Sequence, residues 1–509
     1  MKIFTAKEMH ELDAKVINKV GIPELVLMEN AGGAVTTVAE EYLEDIENKI
    51  IVVLAGKGNN GGDGLVAARM LATQGAYVTV VTLNPLKDFK GSAAQELEIL
   101  KSFDVKVMPL TGNKEKQEEF YEFCACADLI IDAMLGTGFK GELEGNYKDV
   151  VTNLSQLDTP VLAVDIPSGV EADTGKCKAA LKAVATVTMI APKLGLFLYP
   201  GAAYAGDVLV ANLQTPPDLL DEAKSEIYTL DQDMVRAFMP QRPVNAHKGT
   251  NGHVNIIAGS NGYAGAAELC SKAAVRAGAG LVSVYTDKDV WPILSVKSTE
   301  AMIHVLPEGS LADVISTTLD ADVLAIGPGI GKKPETQKLV RDLLPELGLP
   351  VVIDADGLNA LDGHSNVLTE LPYKVITPHP GEMARLMKIS TGEVLADPVG
   401  VAAAAGKKWQ AIVVLKCTPT VIAVPKTGIF INTTGNEGMA TGGCGDVLTG
   451  VIAAFIGQGL SPAAAAVCGV YVHGLAGDMA AEKGKIGLKA GDLIEQLPMA
   501  IKKIMEEEV

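Results

Sequence analysis

Short apolar runs alternate with amphipathic stretches along the first half of the chain. IIVVLAG at 50–56 has strand length and closes on glycine, and LVAARMLATQG at 65–75 has helical spacing and ends on Gly75. Further β-rich runs are YVTVVTL (77–83), ADLIIDAM (127–134), PVLAVDI (160–166), ATVTMIA (185–191) and DVLVANL (207–213). Runs that are apolar at nearly every position predict strands buried on both faces. Their alternation with glycine turns and helices predicts a parallel sheet covered by helices on both sides. A second unit of the same kind follows, with strands in GHVNIIAGS (252–260), LVSVYT (281–286), ADVLAIGPG (321–329), PVVIDADG (350–357), YKVITPHPGE (373–382), AIVVLK (411–416) and TVIAV (420–424). TPPDLLDEAK (215–224), with two prolines and three acids, reads as a linker. The predicted class is α/β: a Rossmann-like doubly wound sheet, then a second α/β domain.

The length of 509 residues fits two or three domains, and a hydrophobic content of 48% supplies large cores. A net charge of -19 argues against nucleic-acid and anionic-membrane partners, whose phosphates call for clustered Lys and Arg. Seven cysteines without metal-ligand spacing read as small buried thiols of a reducing cytoplasm. The start, MKIFTAKEMHELDAK, has no apolar signal-type run, so no secretion signal is expected. Leu448–Val472 is apolar but broken by Gly450, Gly457, Gly459 and Pro462, and predicts two buried helices, not a membrane span. The alanine-rich C-terminal helices suggest a homo-oligomer.

The first chemical constellation is GKGNNGGDG at 56–64, between a strand and a helix. Glycines there let a ligand approach the backbone, and the helix start offers free N–H groups. The stretch contains G-x-G-x-x-G, but the next strand ends on Asn84, where a dinucleotide dehydrogenase needs an acid for the ribose. Lys57 precedes the glycines, so the loop is no phosphate-binding loop of the Walker type. Two more strand ends carry Asp132 in IIDAMLGTGFKG, and Asp165 with Ser168 in VDIPSGV. Oxygens from Asn60, Asp132 and Ser168 suit a monovalent cation, potassium, better than a transition metal.

The second constellation is NEGMATGGCGDVLTG at 436–450. Gly442, Gly443 and Gly445 lead into an apolar helix and present backbone N–H groups as an anion hole. Asp446 in its first turn is placed to take a proton from a hydroxyl attacking a phosphate. His379 and Glu382 in HPGE follow a strand and read as site residues. His10, His304 and His364 read as surface or core residues, and Trp291 and Trp409 as core or interface residues.

GIPELVLMENAG (21–32), GKGNNGGDGLVAARML, DAMLGTG and VDIPSGV resemble the NAD(P)H-hydrate epimerase domain over most of residues 1–215. HKGTNGHVNIIAGSNGYAGAA (247–267), AIGPGIG (325–331), DADGLN (354–359), TPHPGEM (377–383) and GMATGG (438–443) resemble the ribokinase-like ADP/ATP-dependent NAD(P)H-hydrate dehydratase over 225–505. The resemblance implies an epimerase domain at 1–217 and a dehydratase domain at 225–509. In the first, Asn59, Asn60, Gly61, Gly62 and Asp63, with Gly136, Thr137, Gly138, Phe139, Lys140, Gly141 and Glu142, line the dinucleotide. Asn60, Asp132 and Ser168 hold potassium. Asp165 touches substrate and moves the proton at C6, and Lys193 in APKLG is a second catalytic candidate. In the second, Ala266, Gly329, His379 and Asp446 contact the hydrated dinucleotide, while Lys416, Cys417, Thr418, Pro419, Thr420 and Gly445 contact the adenine nucleotide.

Three positions in two motifs depart from the family. Cys417 and Thr418 stand where it usually shows Gly and Ala, and Cys444 where it shows Ser. At a helix start, Cys444 is expected to have a lowered thiol pKa. The substrates implied are NADHX and NADPHX, with ADP favoured over ATP and magnesium on the nucleotide. A plain small-molecule kinase is the rival for the second half, and a binding scaffold with a degenerate pocket for the first.

Overall fold

The computed structural model describes residues 1–110, 114–307, 311–318 and 320–506. The chain divides into two compact units, Lys2–Glu226 and Ile227–Val509.

In the N-terminal unit, seven strands form one parallel sheet: β1 (Ile50–Ala55), β2 (Tyr77–Thr82), β3 (Lys106–Pro109), β4 (Leu129–Ala133), β5 (Val161–Val164), β6 (Ala185–Met189) and β7 (Asp207–Ala211). Their order is β3-β2-β1-β4-β5-β6-β7. The order reverses between β1 and β4, and a crevice opens beyond the carboxyl ends of strands at such a point. Alternate residues of β1 feed two cores. Ile51, Val53 and Ala55 pack on one face, Val52 and Leu54 on the other. Each fully buried aliphatic side chain contributes roughly 1.5–3 kcal/mol. Three helices matter for the site: α1 (Ala6–Lys15), α2 (Glu24–Leu43) and α3 (Asn59–Thr73). A Cβ on Gly32 of α2 would lie 2.4 Å from the Val66 Cβ of α3, so glycine lets these helices cross closely.

Two expectations change here. Helix α3 starts at Asn59, so NNGGD is its first turn and not a free loop. The expected linker carries a short helix, Pro217–Asp221, whose Leu219 joins the core, so apolar burial outweighs its turn-like composition.

The C-terminal unit is built on β8 (Ile227–Thr229), β9 (His253–Ile257), β10 (Leu281–Thr286), β11 (Met302–Val305), β12 (Val323–Ile326), β13 (Val351–Ile353), β14 (Lys374–Ile376), β15 (Ile412–Leu415), β16 (Val421–Val424) and β17 (Gly428–Ile431). They run in the order β8-β17-β16-β15-β14-β13-β12-β9-β10-β11, parallel from β15 to β11. Strand β16 pairs antiparallel with β15 and with β17. Helices α4 (Ala264–Arg276), α5 (Cys444–Gly457), α6 (Pro462–Ala481) and α7 (Ala490–Met505) contribute to one large core. Helices α5 and α6 are the two expected from Leu448–Val472. By length and composition α6 is able to cross a membrane, but it is mostly buried within the unit. The alanine-rich faces are therefore used internally, which removes that particular support for a homo-oligomer.

Candidate active sites

A cavity of about 930 Å³ opens in the N-terminal unit, lined by the end of β4, the start of α3 and residues of α1 and α2. Close backbone approach builds its floor. A Cβ on Gly56 would sit 1.9 Å from the Met134 carbonyl, and one on Gly61 would sit 1.8 Å from the Gly56 carbonyl. Asn59, Asn60, Asp63, Asp165 and the segment Gly136–Lys140 all line the cavity. Gly61 and Gly62 are buried in the packing of α3, where a Cβ on Gly62 would meet the Met28 sulfur at 2.5 Å. Gly141 and Glu142 are exposed. Gly141 donates its N–H to Glu171 at 2.9 Å, and Glu142 pairs with Lys178 at 2.5 Å.

Asn60, Asp132 and Ser168 meet around the backbone of Leu135. The Asn60 amide donates to the Leu135 carbonyl at 3.0 Å, and the Leu135 N–H donates to the Ser168 hydroxyl at 2.9 Å. The Ser168 hydroxyl and N–H donate to the two oxygens of Asp132 at 2.6 and 2.9 Å. Asp132 and Ser168 have no exposed surface. The Asn60 Oδ1 is buried and accepts no hydrogen bond from any described residue. An orphaned buried acceptor is unfavourable by about 1–3 kcal/mol unless something binds it. Neutral oxygens with one carboxylate form a donor set suited to a hard monovalent cation.

Asp165 follows β5 in a left-handed conformation (φ 65°). Its Oδ1 accepts from the Met189 N–H at 3.1 Å and from the Lys193 ammonium, and the Thr188 hydroxyl lies at 3.4 Å. All three donors use Oδ1, which leaves Oδ2 for the cavity. Lys193 is 1% exposed and also donates to the Thr188 hydroxyl (3.1 Å) and the Met189 carbonyl (2.9 Å). Its three protons are engaged, so it holds Asp165 in place and does not present a free amine. Asp13 and Asp63 complete an acidic group that sequence reading left unassigned at Asp13. Burial raises the Asp63 carboxyl well above its ordinary range, with Asp165 and Asp13 adding to the rise. His10, expected on the surface or in the core, lines the same cavity. Its place on α1 is a tertiary fact without a local motif.

In the C-terminal unit the carboxyl ends of β13 and β15 face the start of α5. Asp354, 1% exposed, accepts from Lys416 at 2.5 Å and from the Thr449 hydroxyl at 2.8 Å. Gly443 caps α5 in a left-handed conformation (φ 96°) and offers no side chain to its free N–H groups, which remain available to an anion. A Cβ on Gly445 would lie 3.2 Å from the Lys416 Nζ, so the glycine turn passes directly over that cation. Burial pushes Asp446 up to about 7; Asp354 and Asp356 add to the rise and Lys416 opposes it. Burial alone would lower Lys416, but Asp354, Glu382 and Asp446 outweigh it and raise the ammonium pKa. A carboxyl near neutrality beside a cation and a glycine anion hole can accept a proton during phosphoryl transfer.

Ala266, in the first turn of α4, and Gly329, in the loop after β12, come together, because a Cβ on Gly329 would lie 2.9 Å from that of Ala266. His379 caps the helix Pro380–Met387, accepting from the Gly381 N–H at 3.0 Å, while Glu382 accepts the His379 N–H at 2.9 Å. The Cys417 thiol donates to the Pro419 carbonyl at 3.0 Å, and Thr418 is exposed beside it. Asp354 and Asp356 were not singled out from sequence, although DADG at the end of β13 is the signal that points to them; Glu382 was. The expectation for Cys444 is corrected. Burial pushes its thiol up to about 11, the Asp446 charge adds to the rise, and the Thr441 backbone opposes it. Trp409 is core at 1% exposed, whereas Trp291 is 40% exposed.

Residues 254–499 match the NAD(P)H-hydrate dehydratase family, and residues 24–195 match the family described as YjeF-related protein N-terminus. The chain is 42% identical over 519 aligned positions to the bifunctional NAD(P)H-hydrate repair enzyme Nnr of Moorella thermoacetica, covering 100% of this chain and 98% of that protein. It is 34% identical to the Escherichia coli protein of the same name, covering 97% and 93%. A crystal structure of a ribokinase-like superfamily protein from Enterococcus faecalis is 30% identical, covers 55% of this chain and 98% of that one, and superposes with a TM-score of 0.51. With two matched halves and full-length relatives above 30% identity, the chain belongs to the bifunctional NAD(P)H-hydrate repair enzyme family.

Proposed function

We propose that this chain restores hydrated NADH and NADPH through two reactions. The N-terminal domain (1–217) interconverts the R and S hydrates, and the C-terminal domain (225–509) dehydrates the S epimer at the expense of ADP. The observation that carries the reading is the presence in one chain of two sites of different chemistry. One is a dinucleotide-sized cavity ending on Asp165 and Lys193, the other a glycine turn at Asp446 with Lys416 beneath it.

In the first site, Asn59, Asn60, Asp63 and Gly136–Lys140 hold the dinucleotide, and Asp165 moves the proton at C6. Asn60, Asp132 and Ser168 would hold potassium, which would supply a positive charge to the site. The orphaned Asn60 Oδ1 supports that role. In the second site, Ala266, Gly329, His379 and Asp446 take the hydrated nicotinamide dinucleotide. Lys416, Cys417–Thr420 and Gly445 take the nucleotide. Asp446 removes the proton of the substrate hydroxyl, which attacks the terminal phosphate lying over the α5 N–H groups. Phosphate then departs with a C5 proton, giving NAD(P)H, AMP and phosphate. Phosphorylation turns hydroxide into a good leaving group. Magnesium, when bound, neutralises the nucleotide phosphates. The reduced cysteines and the small-metabolite substrates fit a cytoplasmic enzyme.

The test is the absorbance of reduced nicotinamide when the whole chain meets a mixed R and S hydrate with potassium, magnesium and ADP or ATP. Full recovery with one nucleotide is expected. Recovery of the S fraction alone would remove the epimerase. A stable phosphorylated product without NADH would leave a small-molecule kinase in place of the dehydratase.

A further inference from the structure

We propose that Asp13 is the second proton-transfer group of the epimerase cavity, the acid that serves the ring nitrogen N1 while Asp165 serves the C6 hydroxyl. The proposal rests on the epimerase reading above and goes beyond the positions that reading assigns. Asp13 lies on α1, ahead of the matched segment that begins at residue 24.

Four observations carry it. Asp13 lines the same cavity as Asp165, from a different element. Its carboxyl accepts no hydrogen bond from any described residue, whereas Asp165 has its Oδ1 fixed by Lys193 and the β6 backbone. The two carboxyls act on each other electrostatically, with Lys193 in range of both. Lys193 is saturated with acceptors and is not free to donate. The groups facing Asp13 are His10 on its own helix, Glu24 on α2, Asp63 on α3, and Asp165 with Lys193 beyond β5 and β6. Burial raises the Asp13 carboxyl, Asp165 and Glu24 adding to the rise and Lys193 and His10 opposing it, so it keeps its proton to higher pH than an exposed aspartate. Asp63 is the deeper alternative. It is 9% exposed at the foot of α3, which leaves Asp13 as the more accessible acid.

The chemistry needs two such groups. Asp165 accepts the proton of the C6 hydroxyl as the C6–N1 bond breaks, and Asp13 gives its proton to N1. C6 becomes an aldehyde carbon, and rotation about C5–C6 presents its other face. Closure reverses both transfers: N1 attacks C6 and returns its proton to Asp13, while Asp165 returns its proton to the C6 oxygen. Nothing is oxidised, and both carboxyls end as they began.

The experiment uses the whole chain with the mixed hydrate, magnesium, potassium and the active nucleotide. The S fraction reports the dehydratase and the slower R fraction reports the epimerase. For Asp13→Asn, the S phase is expected unchanged and the epimerase kcat reduced by about 10²–10⁴-fold, with KM within about threefold. The wild-type kcat falls as pH rises through the Asp13 pKa, and this fall is expected to be missing in the variant. Asp13→Glu, which keeps the acid, restores a large part of the rate. Epimerisation by Asp13→Asn at the wild-type kcat overturns the proposal. So does an Asp13→Glu rate no better than that of Asp13→Asn, which marks a packing role. If the wild type itself recovers only the S fraction, the epimerase reading fails, and this proposal with it.

Discussion

Asp446 owes its base strength to where it sits. Burial and the neighbouring carboxylates Asp354 and Asp356 push it up to about 7, and Lys416 restrains the rise. A general base works ionised, so dehydration is expected to increase as pH rises through about 7 and to level off above it. Lys416→Gln removes the restraining cation and should move that rise to higher pH, visible in a pH–rate profile of the S phase. Asp446→Asn is expected to abolish dehydration and leave epimerisation intact; loss of both would undo the assignment of separate sites. Cys444 shows the same competition ending differently. With its thiol near 11, only about 10⁻⁴ of it is thiolate at neutral pH. Alkylation should therefore be slow with or without ADP, as followed by mass spectrometry. At this scale the sequence exposed the motif residues, because Asp446 follows Gly445 and Asp165 stands two residues before Pro167, within glycine- and proline-marked turns. It did not expose Asp13 or Asp354, whose partners lie on other elements.

The working parts of each element are its ends. Helix α3 begins inside NNGGD, so its first turn carries Asn60 toward Leu135, where Asp132 and Ser168 arrive from β4 and the turn after β5. Asn60→Ala removes the orphaned oxygen. It is expected to blunt the potassium dependence of epimerisation, measured as the rate against potassium at constant ionic strength, while dehydration is unchanged. Helix α5 begins on Gly443 at φ 96°, and an added Cβ would also lie 2.5 Å from Leu269 Cδ1. Gly443→Ala should destabilise the C-terminal unit by about 1–3 kcal/mol in denaturant unfolding and weaken nucleotide use. Periodicity made the central strands and α5 legible because they are apolar throughout. It missed β3, β8, β11 and β17, which are short or carry polar residues, and it read Pro217–Asp221 as a linker because prolines and acids outweighed one buried leucine.

Each half of the molecule has its own sheet and its own buried core. Residues 1–226 and 227–509 made as separate chains are therefore expected to keep epimerase and dehydratase activity respectively, and mixing them should recover both hydrates. Loss of either activity on separation, measured against the intact chain, would show that the halves depend on each other.

The sequence by itself determined the α/β class, the two-part organisation and the glycine-flanked residues. Each of these is a local matter: burial on both faces leaves continuous apolar runs, and a tight turn near a ligand leaves glycine. The tertiary structure alone decided which side chains meet. It brought Lys193 onto Asp165 and Lys416 onto Asp354, set Asp13 in the cavity, and left the Asn60 Oδ1 without a partner among the described residues. It also set the proton affinities of Asp446 and Cys444. Those depend on burial and on charges from distant parts of the chain, and no local pattern of residues records either.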